Sequence, residues 1–142
     1  MLQTTLLNPN WVVGFIDAEA CFHVAIQKNS SMRLGVQVQL QFVIGQHIQD
    51  KVLLERFISF FGAGQVLQTS SYMAQYRIRG MDDLENILFP FLTSYPLLSK
   101  KSIDFANFKL VHSLMRNGSH LTPEGLLEIR RIQTLMNRQR SK

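Results

Sequence analysis

Apolar and polar residues alternate most regularly between Val36 and Ile44. Val36, Val38, Leu40, Phe42 and Ile44 fall on one face, and Gln37, Gln39 and Gln41 on the other. A period of two predicts a strand with an apolar core face and an amide-lined face. Upstream, Cys21–Lys28 alternates more weakly and reads as a strand that breaks at the turn Asn29-Ser30-Ser31. A second hairpin is predicted from Gln65 to Thr69 and from Tyr72 to Arg79, turning at Ser70-Ser71. In its return strand Ala74, Tyr76 and Ile78 share one face, with Met73, Gln75, Arg77 and Arg79 on the other.

Helical periodicity fills the remainder. Ile48–Phe61 is amphipathic, with Val52, Leu53, Phe57, Ile58 and Phe61 toward the core, and Gly62 and Gly64 end it. Asp82–Phe89 is predicted to stop at Pro90, which cannot continue the hydrogen-bond ladder. Leu98–Arg116 follows, with Phe105, Phe108, Val111, Leu114 and Met115, and Asn117-Gly118 as its stop signal. Thr122-Pro123-Glu124 reads as an N-cap, a first-turn proline and a dipole-favoured acid. Leu126, Ile129, Ile132 and Met136 then form the inner stripe of a last helix.

The run Trp11-Val12-Val13-Gly14-Phe15-Ile16-Asp17-Ala18-Glu19-Ala20-Cys21-Phe22 differs from these amphipathic segments. Asn10 is the expected N-cap, and Val12, Val13, Phe15 and Ile16 leave no polar face, which predicts a helix buried on all sides. Gly14 and Ala18 are four apart and share a stripe where another helix backbone can approach closely. Glu19 ends the run at the negative pole of the helix, which disfavours a carboxylate by roughly a few tenths of a kcal/mol unless a cation compensates it. A buried helix ending in ordinary solvated acids is the plainer reading of the same residues.

At 142 residues the chain is expected to form one domain, 1–142, with a real core. Its 46% hydrophobic content excludes a disordered chain. No apolar run reaches the roughly 20 residues that cross a membrane. Residues 1–9 lack a basic n-region with a long apolar core, and lack the arginines of a transit peptide, so the protein is expected to be made where it acts. Cys21 is the only cysteine, which excludes an intrachain disulfide and a cysteine-based zinc site. His23, His47, His112 and His120 show no ligand spacing, and neither a hydrolytic triad nor a glycine-rich phosphate loop is present.

The net charge is +5 and it is uneven. From Lys100 onward nine Lys/Arg face three acids, whereas the rest of the chain has six against seven. A basic C-terminal end suits a polyanion such as DNA or RNA, although many solvated helices are equally basic.

The segment Val12–Ala20 resembles the signature motif of the LAGLIDADG homing endonucleases. Glu stands at its second acidic position, and Ala20 stands in place of its last glycine. The order αββαββα matches the one-motif core of that family. The resemblance implies an α+β fold with a curved antiparallel DNA-binding sheet and C-terminal helices. It also implies that two motif helices pack together, here through Val12, Val13, Gly14, Asp17 and Ala18 of each chain in a homodimer.

The same resemblance places Glu19 and Ala20 at divalent metal ions, Mg²⁺ or another such as Mn²⁺, with hard oxygen ligands suited to them. It gives Gln46 a role in orienting water. In Pro96-Leu97-Leu98-Ser99-Lys100-Lys101 it gives one lysine, Lys101 or its neighbour Lys100, a role in polarising active-site water. His120-Leu121-Thr122-Pro123-Glu124-Gly125 also resembles a family segment, with a structural role. The implied activity is site-specific double-strand DNA cleavage leaving 3′ overhangs, encoded by a group I intron in a chloroplast or mitochondrion. An intron RNA maturase and a nuclease-dead DNA-binding module of the same fold are the alternatives.

Strand alternation then nominates the DNA-facing side chains. They are His23, Gln27 and Asn29, then Gln37, Gln39 and Gln41, then Gln65, Leu67 and Thr69, and finally Gln75, Arg77 and Arg79. A strand of about 9 residues spans roughly 30 Å, close to one turn of duplex DNA. Gln bonds adenine bidentately and Arg guanine. A half-exposed sheet showing polar residues to water remains the other reading.

Overall fold

A computed structural model describes residues 6–137. Three of the nine C-terminal basic residues, Arg138, Arg140 and Lys142, lie outside the described residues, as does most of the stretch 1–9. The elements run α1 (Pro9–Glu19), β1 (Ala20–Lys28), β2 (Val36–His47), α2 (Lys51–Phe61), β3 (Gln65–Gln68) and β4 (Met73–Ile78). They continue through the helical segments α3 (Met81–Asp83) and α4 (Phe89–Ser94) to α5 (Lys101–Arg116) and α6 (Pro123–Gln133). The strands form one antiparallel sheet in the order β1-β2-β4-β3. The α+β class and the αββαββα order expected from the sequence are both present.

The chain divides into two compact units. The first joins the residues up to Cys21 to Phe42–Ser99, and the second joins Phe22–Gln41 to the residues from Lys100 onward. In the first unit, Phe15 of α1 stacks on Trp11, and both rings meet Phe57 of α2, at centroid distances of 5.7 and 6.3 Å. Phe57 also contacts Tyr76 of β4, which is fully buried. The Tyr76 hydroxyl donates to the Ala63 carbonyl at 2.7 Å, so the ring is buried without an orphaned polar atom. Burial, and then the nearby Asp83 charge, hold its phenol well above the usual range. Half of β2 pairs with β4 here, with Ile44 opposite Tyr76 and Phe42 opposite Ile78.

In the second unit Phe22 of β1 packs against Phe105 and Phe108 of α5, with centroids 5.4 and 5.2 Å apart. The end of α6 and the residues after it are tied to β1 and α5 through polar groups. Gln133 donates to the Val24 carbonyl and Asn137 to the Phe22 carbonyl. The Asn137 N–H donates to buried Asp104 at 3.0 Å. Thr122 caps α6 by accepting from the Gly125 N–H at 3.0 Å. Gly125 is dictated by close approach, because an added Cβ would lie 1.8 Å from the Ser119 carbonyl oxygen.

Four local expectations are corrected. The α1 cap is Asn8, whose side chain accepts from the Asn10 N–H at 2.8 Å, and Pro9 then occupies the first helical turn. Helix α2 begins at Lys51 after a tight turn over Ile48–Asp50, which rotates Val52 out to solvent and seats Leu54 in the core. Pro90 does not end its helix. A wide π turn over Leu84–Leu88, closed by the Phe89 N–H on the Leu84 carbonyl, leads into α4 with the proline in its first turn. There the missing N–H costs no regular α-helical bond. Helix α5 starts at Lys101 rather than Leu98, since Leu98 and Ser99 spend their N–H groups on Asp17.

Candidate active site and nucleic-acid interface

Glu19 is the last residue of α1 and its side chain is exposed. Ala20 follows with φ −80° and ψ 163°, and its N–H closes the helix on the Ile16 carbonyl. That conformation is ordinary extended backbone, so alanine in place of the motif glycine introduces no strain. The other motif acid is employed differently. Both Asp17 carboxylate oxygens accept from the Leu98–Ser99 segment, with Leu98 N–H at 2.9 Å and Ser99 N–H at 3.1 Å. The Ser99 hydroxyl donates to the same carboxylate. Asp17 is thus a structural clamp, while Glu19 is left facing solvent.

Gln46 pairs with Ala74 across β2 and β4, and Ala74 is buried. Paired residues share a face, so Gln46 lies on the core side of the sheet near the strand's end, opposite in sense to the Gln37–Gln41 row. Glu19 and Gln46 belong to the first unit. Lys101 belongs to the second, where it is the half-buried first residue of α5 beside exposed Lys100.

The donor set at Glu19 suits a hard divalent cation, being an exposed carboxylate at the negative end of a helix. Among the described residues no three His, Cys, Asp or Glu side chains gather into a ligand group. One chain therefore offers a single carboxylate, and such a cation would need further oxygens from a second carboxylate, phosphate or water.

The expectation of a helix buried on every side fails along one stripe. Val12 and Ile16 are fully buried, but Gly14 and Ala18 are exposed and Trp11 is 44% exposed. A Cβ added at Gly14 would meet nothing within 4 Å. Of the residues expected to meet a second copy, Val12 is consumed by this chain's own core, and Asp17 is occupied by Leu98 and Ser99. Gly14 and Ala18 present surface, with half-buried Val13 beside them.

On the open sheet face the alternation holds. Gln37 is exposed, and Gln39 and Gln41 are half-buried between buried Val38, Leu40 and Phe42. His23 and Gln27 are exposed along β1, where partial burial holds the His23 imidazole below its ordinary pKa. Gln65 pairs with Arg77 and Leu67 with Gln75, which puts all four on one face. Asn29, Thr69 and Arg79 lie one residue past the ends of β1, β3 and β4, and the Thr69 N–H closes the hairpin on the Met73 carbonyl.

Arg77 and Arg79 line a cleft of about 280 Å³ with Gly64, Gln65, Ile78, Gly80 and Asp83. The Arg77 Nε is sealed from solvent and has no hydrogen-bond partner among the described residues. Burial, and secondarily repulsion from Arg79, lower the Arg77 pKa. Two guanidiniums against the single Asp83 carboxylate leave this cleft with an excess of positive charge, which favours an anion or an acceptor-rich base edge. Sequence reasoning missed the Leu98–Ser99 partners of Asp17 and the buried Asp104. Both depend on contacts between residues far apart in the chain.

Residues 12–112 match the profile of the LAGLIDADG endonuclease family. The probable intron-encoded endonuclease 3 of Neurospora crassa is 38% identical over 139 residues, 97% of this chain and 25% of that protein. The chain spans about a quarter of the length of this and two further fungal relatives it matches. The crystal structure of the homing endonuclease I-TnaI superposes with a TM-score of 0.89 at 39% identity, covering 94% of this chain and 90% of that one. I-LtrWI, a LAGLIDADG homing endonuclease bound to target DNA, gives 0.91 at 36% identity, covering 98% of this chain and 47% of that one. By its motif, its sheet and this similarity across most of its length, the chain belongs to the LAGLIDADG endonuclease family.

Proposed function

We propose that the chain is one half of a site-specific, divalent-metal-dependent DNA endonuclease, acting as a homodimer on a long pseudo-palindromic site and encoded within an organellar intron. The observation that carries this reading is Glu19, an exposed carboxylate ending a helix whose Gly14/Ala18 stripe is bare in the single chain. Two such helices meeting along that stripe would bring two Glu19 carboxylates together.

A divalent cation held there, Mg²⁺ or Mn²⁺, would supply Lewis-acid chemistry for phosphodiester hydrolysis. The protein's own groups then have separable tasks. Glu19 would provide the anionic oxygens that hold the cation, together with the backbone at Ala20. Gln46 would orient the attacking water through its amide, and Lys101 or its neighbour Lys100 would supply the positive charge that offsets negative charge in the transition state. The open sheet face, from His23 and Gln27 through Gln41 to Gln75 and Arg77, supplies base and phosphate contacts in the major groove.

The decisive experiment incubates the purified chain with Mg²⁺ and a library of intron-insertion-site duplexes. Cleavage of both strands at one site with 3′ overhangs is the expected result. Binding without cleavage would overturn the nuclease assignment in favour of a DNA-binding module. Promotion of intron splicing without cleavage would replace it with a maturase.

A further inference from the structure

We infer that Asn29 is a positioning residue that fixes the hydrogen-bonding polarity of Gln37, and thereby which base Gln37 accepts. The inference rests on the DNA-binding reading above. It begins at a group whose role is unambiguous. The Ser31 backbone N–H can only donate, and it donates to Asn29 Oδ1 at 3.1 Å. The Ser31 hydroxyl donates to the same oxygen at 2.6 Å. The Asn29 oxygen is therefore turned toward the loop and its amide nitrogen toward Gln37. Asn29 Nδ2 lies 3.1 Å from Gln37 Oε1 and donates to it.

An amide oriented by its neighbour has no choice of sense. With its oxygen drawn toward Asn29, exposed Gln37 presents its –NH₂ outward. A guanine edge in the major groove offers two acceptors, O6 and N7, whereas cytosine offers only the N4 donor. The outward –NH₂ favours guanine and disfavours cytosine. Asn29, with its oxygen occupied by Ser31 and a donor hydrogen committed to Gln37, contributes by orientation rather than by contact. Gln41 Nε2 similarly donates to Gln39 Oε1 at 3.1 Å, but no backbone group among the described residues fixes the sense of that pair.

Polarity can be inverted without changing shape. Asn29→Asp retains an oxygen for Ser31 and offers a second oxygen to Gln37, which must then turn its own –NH₂ inward and its carbonyl outward. The full chain is used to select bound duplexes from a randomised library, and the recovered DNA is sequenced. The wild type is expected to prefer guanine at one position, and Asn29→Asp to shift the guanine-to-cytosine ratio there by about tenfold or more toward cytosine. Gln37→Glu, which presents an acceptor outward with Asn29 intact, is expected to shift the same position the same way. A merely structural Asn29 would lower overall affinity and leave the base profile unmoved. If either variant binds with the wild-type profile at every position, the inference is overturned. A wild type that enriches no sequence overturns the DNA-binding reading and this inference with it.

Discussion

The Asp17 carboxylate, near the end of the motif helix, holds Ser99 by its backbone N–H and its hydroxyl, 82 positions along the chain. The same carboxylate takes the Leu98 N–H at 2.9 Å. These bonds tie α1 to the end of the segment that follows α4, so Asp17 is spent on architecture while Glu19 stays exposed. Asp17→Asn would turn an amide –NH₂ toward groups that are themselves donors. A loss of about 1–3 kcal/mol in folding stability is expected, read as a lowered urea midpoint. Unchanged unfolding would show that the clamp contributes nothing.

Glu19→Gln should behave in the opposite way. The side chain is exposed, so stability should stay within about 0.5 kcal/mol of the wild type. DNA binding should persist, and even tighten, because a negative charge near phosphates is removed. Cleavage in Mg²⁺ should disappear, as it should for the wild type in excess chelator. Wild-type cleavage by the variant would move the active site elsewhere.

Gly14→Leu tests the association of two chains. A side chain at Gly14 meets open space within its own chain, so the monomer should fold normally by circular dichroism. Sedimentation at micromolar concentration should fall from twice the 16.3 kDa chain mass to that mass itself. A wild type that sediments as a monomer, also on DNA, would rule out a site built from two halves.

Arg77→Ala and Gln39→Ala separate reading a base from neutralising a phosphate. Loss of a base contact should cost about 1–3 kcal/mol per lost contact and relax sequence preference at one position in each half-site. Loss of a phosphate contact should weaken all sequences alike and reduce the salt slope by about one unit. Side chains that only face water would change neither the profile nor the slope.

Much of this molecule was legible because its signals are local. The β2 alternation assigns Val38, Leu40 and Phe42 inward and the glutamines outward without any knowledge of partners. The αL glycine Gly62, the Thr122 cap and the Gly118 stop each act through adjacent residues. The misreadings share a different cause. Choosing Asn10 over Asn8 overlooked that Pro9 is best placed just inside a helix. Pro90 read as a terminator because a π turn has no period of its own to detect. Val52 turns outward and Leu54, not assigned from the sequence, turns into the core because the tight turn at Ile48–Asp50 resets the helical phase. For the site, the motif singles out Asp17 and Glu19, but only the fold shows that Asp17 is engaged by Leu98 and Ser99 while Glu19 is exposed.

Gly14 carries a consequence for anyone improving this protein in the laboratory. A glycine in an exposed helix interior costs the folded chain roughly 1 kcal/mol relative to alanine, and the open space around it offers no compensation within the chain. Directed evolution scored only on melting temperature or soluble yield would therefore enrich Gly14→Ala early. If two helices do close upon this stripe, each such round would trade catalytic competence for robustness while every conventional measure of quality improved.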